Sequence, residues 1–154
     1  MSGRNWALVR TLLALAGLLV AGYLTLLHYD ADVPLVCSEG AVVDCASVIT
    51  SPESLVLGLP VAAWGLLWFA LETVLAAKLA RLAPGRPAPR GWRGVETAWA
   101  VAGALSVVYL VYLEFFVIGR ICLWCSLGHL LVLAIVATMI VGDSADDPRL
   151  QRHE

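Results

Sequence analysis

The sequence predicts an all-α membrane protein, a four-transmembrane-helix bundle with an extracytoplasmic loop between helices 1 and 2. Three observations carry that expectation. The chain of 154 residues is 60% hydrophobic and only 14% charged, its mean hydropathy is +0.84, and four of its apolar runs are long enough to cross a bilayer. Soluble domains are roughly 45–50% apolar and about 25% charged, so this composition excludes a soluble enzyme and a disordered tail. A net charge of −2 offers nucleic acid no footprint, and none is expected as a partner.

A ~30 Å hydrocarbon layer takes ~20 residues of helix. The runs lie near 6–27, 58–80, 97–118 and 121–141, and because backbone polar groups in lipid must be paired internally, they are helices. The first follows Arg4 and Arg10, and its small residues Ala14, Ala16 and Gly17 imitate a signal-peptide cleavage site. About 22 apolar residues exceed what a signal core needs, so the helix is expected to be retained. Between the runs lie an outer loop, 28–57, and a cytoplasmic loop, 81–96, whose stretch from Pro84 to Gly94 is rich in Pro, Gly and Arg. A cytoplasmic tail, 142–154, follows. No internal repeat or linker divides the chain, so residues 1–154 are expected to form a single domain.

Lysine and arginine gather on the cytoplasmic side of short loops. Arg4 and Arg10 precede the first helix, Lys78, Arg81, Arg86, Arg90 and Arg93 surround the second connection, and Arg149 and Arg152 lie in the tail. Both termini are therefore expected inside. The loop from His28 to Leu57 holds Asp30, Asp32, Glu39, Asp44 and Glu53 with no Lys or Arg, and is expected outside. Trp6, Trp92 and Trp99 then fall near the inner interface, and Trp64 and Trp124 near the outer one, where amphipathic rings settle.

On this topology all four cysteines share the outer side. Cys37 and Cys45 lie in the loop with seven residues between them, and Cys122-Leu-Trp-Cys125 opens the fourth helix. Three chemistries compete. Two structural disulfides bracing an outer binding loop of a non-enzymatic membrane protein are the plain reading. A bridge across Cys122 and Cys125 closes too small a ring to stabilise much. Zinc normally takes two close pairs, which Cys37 and Cys45 do not form, and haem attachment needs His where Ser126 stands. Redox exchange has a positive argument: the first turn of a helix favours a thiolate, and the Cys37–Cys45 loop, rich in small and polar residues, can swing to hand electrons on by thiol–disulfide exchange.

These residues resemble the vitamin K epoxide reductase family, in particular its bacterial branch. The resemblance runs from the first helix to the fourth. It rests on Cys37 and Cys45 at their separation, Ser51 six residues beyond, the stretch Gly58 to Gly65 (G-L-P-V-A-A-W-G), and Cys122-Leu-Trp-Cys125. The resemblance implies an integral membrane thiol:quinone oxidoreductase of the bacterial inner membrane that supports disulfide bond formation. Cys122 and Cys125 would be the active-site couple, with Cys125 reacting with the quinone. Cys37 and Cys45 would shuttle electrons from a thioredoxin-like extracytoplasmic protein, Cys45 passing them to Cys122. Ser51 would lie near the quinone pocket. The acceptor would be a menaquinone, a vitamin K-like quinone or a ubiquinone, with no metal. Many bacterial members carry a fused thioredoxin-like domain; none follows the fourth helix in this sequence, so a separate partner is expected. His129 stands where vertebrate members carry tyrosine, and no counterpart of their substrate-contacting asparagine is found, which favours quinone over epoxide as substrate.

Several further residues invite chemistry. Cys122, Cys125 and His129 share a helix face at i, i+3 and i+7, so His129 is a candidate to bond the quinone carbonyl or deliver a proton, against an interhelical packing bond. Glu114, five residues before Gly119-Arg120, is expected near the depth of Cys125. It is either a proton relay or a partner of Arg120, because an acid at mid-membrane costs ~2.5–3.5 kcal/mol. Glu72, on the inner half, is expected in a structural pairing. Ser51-Pro52-Glu53-Ser54 reads as the capped start of a short helix. His28 reads as interfacial. Gly58, Pro60 and Gly65 are expected to shape the second helix's start and permit close approach, and Trp64, Trp68, Tyr109 and Tyr112 read as packing aromatics.

Overall fold

The structure, a computed structural model, describes residues 3–30, 32–37, 40–81 and 90–145. Glu39, Arg86, Arg149 and Arg152, along with most of the 142–154 tail, lie outside those residues, as do the side chains of Arg4, Arg90 and Arg93.

Four long helices dominate. They are α1 (Gly3–Tyr29), α3 (Val61–Arg81), α4 (Arg90–Tyr112, continuing as a π-helical turn over Leu113–Ile118) and α5 (Leu123–Ala145). Each contains a stretch long and apolar enough to cross a membrane: Asn5–Tyr29, Val61–Arg81, Gly94–Ile118 and Leu123–Gly142. The segment between α1 and α3, expected on the outer side, adds a short helix α2 (Cys45–Ile49), a 3-10 turn (Pro52–Ser54) and two short strands, β1 (Leu55–Val56) and β2 (Leu59–Pro60). The fold is the expected four-helix membrane bundle.

Its boundaries differ where the backbone does something hydropathy does not register. Residues 58–60 were expected to open the second helix, but Leu55 pairs with Pro60 and Val56 with Leu59 in an antiparallel hairpin. Leu57 and Gly58 turn it with positive φ, 54° and 79°, the backbone that two-residue hairpin loops require. Trp64 closes the corner by donating its indole N–H to the Val56 carbonyl at 3.1 Å. The third helix starts at Arg90 rather than near 97. Ile121 lies outside the fourth helix, in a bridge described below.

α1 is the central helix, packed along α3 and α5. Small residues allow it: a Cβ on Gly17 would overlap the Phe69 ring, and a Cβ on Gly65 would stand 3.8 Å from that of Ala21, the close approach expected of Gly65. The core gathers Ala14, Ala21, Phe69, Val107, Val132 and Ile135. Leu19 and Phe116 stay 76% and 78% exposed, as side chains facing hydrocarbon do.

Three charged side chains meet inside the bundle. Arg10, expected as a flanking topology signal, lies inside the bundle. It reaches Glu72 at 3.0 Å and Glu96 at 2.9 Å, joining α1, α3 and α4. Glu72 is therefore paired, as expected. Two of the tryptophans expected near an interface are also bonded internally. Trp99 stacks on Trp68 with centroids 6.0 Å apart and its carbonyl accepts the Trp68 indole N–H at 3.3 Å. Trp124 donates its indole N–H to the Val36 carbonyl.

Candidate active site

The four cysteines converge at one end of the bundle. Cys37 is joined to Cys45 and Cys122 to Cys125 as disulfides, with Cα atoms 6.2 Å and 5.2 Å apart. Cys45 and Cys122 are wholly buried and share one cluster with Val48, against which Cys37 and Cys125 pack. The two pairs therefore meet through Cys45 and Cys122.

Backbone pairing sets that meeting. Val43 and Ile121 form a parallel bridge; the Asp44 N–H donates to the Ile121 carbonyl and the Ile121 N–H to the Val42 carbonyl, both at 3.0 Å. Cys45 and Cys122 follow directly. Asp44 then caps α2, accepting from the Ser47 N–H at 2.9 Å and the Ser47 hydroxyl at 2.6 Å. These bonds, the hydroxyl first, hold the Asp44 carboxyl below the usual carboxylate range. Arg120 bonds the carbonyls of Gly40 and Ala41. The segment before Cys45 is thus bonded to the bundle in this conformation.

Cys122 was expected within the first helical turn; it stands one residue before α5. Its Sγ accepts the Cys125 N–H at 3.2 Å, and its carbonyl accepts the Ser126 N–H at 2.9 Å. Sulfur therefore occupies the place of an N-cap oxygen, where unpaired N–H groups favour negative charge.

Beside this pair is a cavity of about 780 Å³, and Cys125 lines it while Cys122 does not. Ser51, His129 and Glu114 line it too, so all three candidate polar residues border the same cavity as Cys125. Their local settings refine the expectations. Ser51 precedes the 3-10 turn with Pro52 at its first position, but its hydroxyl caps nothing; it donates to the Val48 carbonyl at 3.0 Å. Glu114 is buried, 4% exposed, and makes no ion pair among the described residues, because Arg120 turns to the outer segment instead. Its carboxyl faces the Cys122 backbone N–H. It sits in the π-helical turn that ends at Gly119, whose φ of 68° suits glycine. Such turns recur at functional sites.

Trp64, Trp68, Tyr109 and His28 also line the cavity. The three aromatics are thus wall rather than packing alone, and His28 is more than interfacial. Tyr112 stacks on Phe116 at 5.4 Å and is not among the lining residues. Sequence reading missed Tyr23 and the Val43–Ile121 bridge, and gave His28 and Trp124 interfacial places only. Only the tryptophan inside the Cys-x-x-Cys spacer carried any local signal.

No group of three or more His, Cys, Asp or Glu side chains among the described residues is arranged to hold a metal ion. Two disulfides meeting at buried sulfurs, one of them opening on a large apolar cavity, suit electron exchange with a lipid-soluble molecule. A sequence model of the vitamin K epoxide reductase family matches residues 8–140, most of the chain, and the protein belongs to that family.

Proposed function

We propose that this protein oxidises a thioredoxin-like extracytoplasmic partner and passes the electrons to a membrane quinone through Cys37, Cys45, Cys122 and Cys125 in that order. Family membership makes the chain a membrane thiol–disulfide oxidoreductase that uses a quinone; the partner, the path and the site residues are our reading. The observation that carries it is the division of labour among sulfurs: Cys45 and Cys122 share one buried cluster, while Cys125 alone of the four lines the cavity.

Thiol–disulfide exchange then runs inward. The partner's two thiols reduce Cys37–Cys45 and leave as a disulfide. The Cys45 thiolate attacks Cys122, breaking the Cys122–Cys125 bond and releasing Cys125 as a thiolate; Cys37 then attacks Cys45, restoring the outer disulfide and freeing Cys122. The reduced Cys122–Cys125 pair gives two electrons and two protons to the quinone and closes again. Protons balance without an outside donor, since two thiols supply what a quinol needs.

In this reading the apolar walls hold the quinone ring, and Ser51, His129 and Glu114 are its polar contacts. Glu114, buried beside the Cys122 amide, carries a proton from the couple to the quinone oxygen; His129, one turn beyond Cys125, bonds a quinone carbonyl. The setting is a bacterial inner membrane with both termini cytoplasmic and the cysteines outside. The quinone is a menaquinone, a vitamin K-like quinone or a ubiquinone, and no metal takes part.

The test is anaerobic mixing of the purified protein with a reduced thioredoxin-like protein and a series of quinones, following quinone absorbance and cysteine redox state together. The relay predicts stoichiometric quinol and oxidised partner, and a trapped partner–Cys37 mixed disulfide in Cys45→Ala. A Cys125→Ala variant that reduced quinone at the normal rate would refute it, leaving two disulfides that only brace the outer loop.

A further inference from the structure

The extended segment leading into Cys37 is gripped by two aromatic side chains from different helices. The Tyr23 hydroxyl, on α1, donates to the Pro34 carbonyl at 2.8 Å and accepts from the Val36 N–H at 3.1 Å. The Trp124 indole N–H, on α5, donates to the Val36 carbonyl at 2.7 Å. The two rings meet edge to face, 5.0 Å between centroids. Both backbone polar groups of Val36 are thereby engaged. Its side chain is 70% exposed, and Cys37 beside it lines an open surface groove with Leu35, Leu123 and Leu127. Cys45, the other sulfur of that disulfide, is wholly buried. Neither Tyr23 nor Trp124 lines the large cavity.

We propose that Tyr23 and Trp124 form a clasp that presents Cys37, and withholds Cys45, when a thiol approaches the outer disulfide. Both act as positioning residues; the inference rests on the relay above. Which sulfur is attacked decides whether exchange proceeds. When the partner thiolate attacks Cys37 Sγ, a new sulfur–sulfur bond forms there. The Cys37–Cys45 bond breaks, and its electron pair leaves on Cys45, already beside Cys122. Attack on Cys45 would instead lodge the partner on the sulfur that must meet Cys122 and block onward transfer. The tryptophan between Cys122 and Cys125 thus serves the Cys37–Cys45 pair through its side chain.

The experiment compares Tyr23→Phe and Trp124→Phe, which keep the rings and lose the hydrogen bonds, with wild type in the full-length protein. Two reductants are used with one short-chain quinone: reduced thioredoxin, and dithiothreitol, which is small enough to reach Cys37 without docking on the segment around it. A thioredoxin variant with a single active-site cysteine is trapped in parallel, and the attachment site is mapped by mass spectrometry. One lost hydrogen bond corresponds to roughly five- to tenfold. The clasp predicts a thioredoxin-driven rate lower by about that factor in Trp124→Phe, which loses one bond, and by more in Tyr23→Phe, which loses two, with a dithiothreitol-driven rate within about twofold of wild type in each and trapping that spreads from Cys37 to Cys45. Variants that keep the wild-type ratio between the two reductants and trap only at Cys37 would overturn the clasp alone. A wild type that reduced no quinone with either reductant would overturn the relay, and the clasp with it.

Discussion

Val43 and Ile121, 78 positions apart in sequence, are paired backbone to backbone in a parallel bridge, and the reactive cysteines follow each of them within two residues. The register between the outer segment and the start of α5 is thus fixed by main-chain bonds, which bring Cys45 and Cys122 into one cluster. Ile121→Pro removes the N–H that donates to Val42 while leaving every cysteine in place. A single net hydrogen bond is worth about 1 kcal/mol, so transfer from the outer to the inner pair is expected to slow roughly fivefold. Rapid acid quenching with a thiol-mass label, after a pulse of dithiol, reads that step apart from quinone chemistry.

The proposed relay gives Glu114, whose carboxyl faces the Cys122 N–H, the transfer of a proton to the quinone. General acid–base groups contribute about 10²–10⁴-fold, and Glu114→Gln keeps the shape while losing the exchangeable proton. Single-turnover quinol formation from the pre-reduced protein is expected to fall at least about 100-fold, with Glu114→Asp in between. Equal rates in all three proteins would remove Glu114 from the chemistry and leave it a buried polar filler.

Arg10 holds two carboxylates, and Glu72 is completely enclosed. Removing one member of a buried pair costs about 3–5 kcal/mol, because the other charge is left stranded. Arg10→Leu is therefore expected to lose that much stability in a detergent unfolding titration. Restoring shape without charge, in Arg10→Leu combined with Glu72→Leu and Glu96→Leu, should recover most of it.

Asp44 gives a pH dependence whose sign follows from its cap. Its folded carboxyl titrates below the usual range, so the capping contribution is fully present above the ordinary carboxylate value of about 4 and is lost as the pH falls through the lower folded value. Below that window α2 should loosen and the Cys45 side of the outer disulfide become easier to reduce. Asp44→Ala should show the same reducibility at neutral pH, and Asp44→Asn, which still accepts the Ser47 N–H, should remove most of the acid sensitivity.

The four spans and the Cys122–Cys125 motif were legible because hydropathy and short spacing are local signals. Gly65 was legible too, since small residues in an apolar run imply a close neighbour. Arg10 was misread because a cation near a helix start looks like a topology signal until its partner, 62 residues away, is known. The hairpin over Leu55–Pro60 reads as continuous apolar sequence, and the positive φ of Leu57 contradicts that residue's own preference. Trp124 was legible as an amphipathic ring, but a membrane surface and a carbonyl at Val36 satisfy an indole N–H equally well. His129 and Glu114 were picked out as polar groups in apolar runs and Ser51 through the family resemblance; that all three border one cavity is a property of three separate elements, which no single stretch of sequence contains.

The three-way ion pair also bears on how the chain is made. Translation produces Arg10 long before Glu72, and Glu96 later still, so the first helix spends its early life in or beside the bilayer carrying an unanswered cation. Insertion scales make such a residue costly in hydrocarbon, and its two partners come from the second and third membrane helices, so the first helix gains its full compensation only once both are in place.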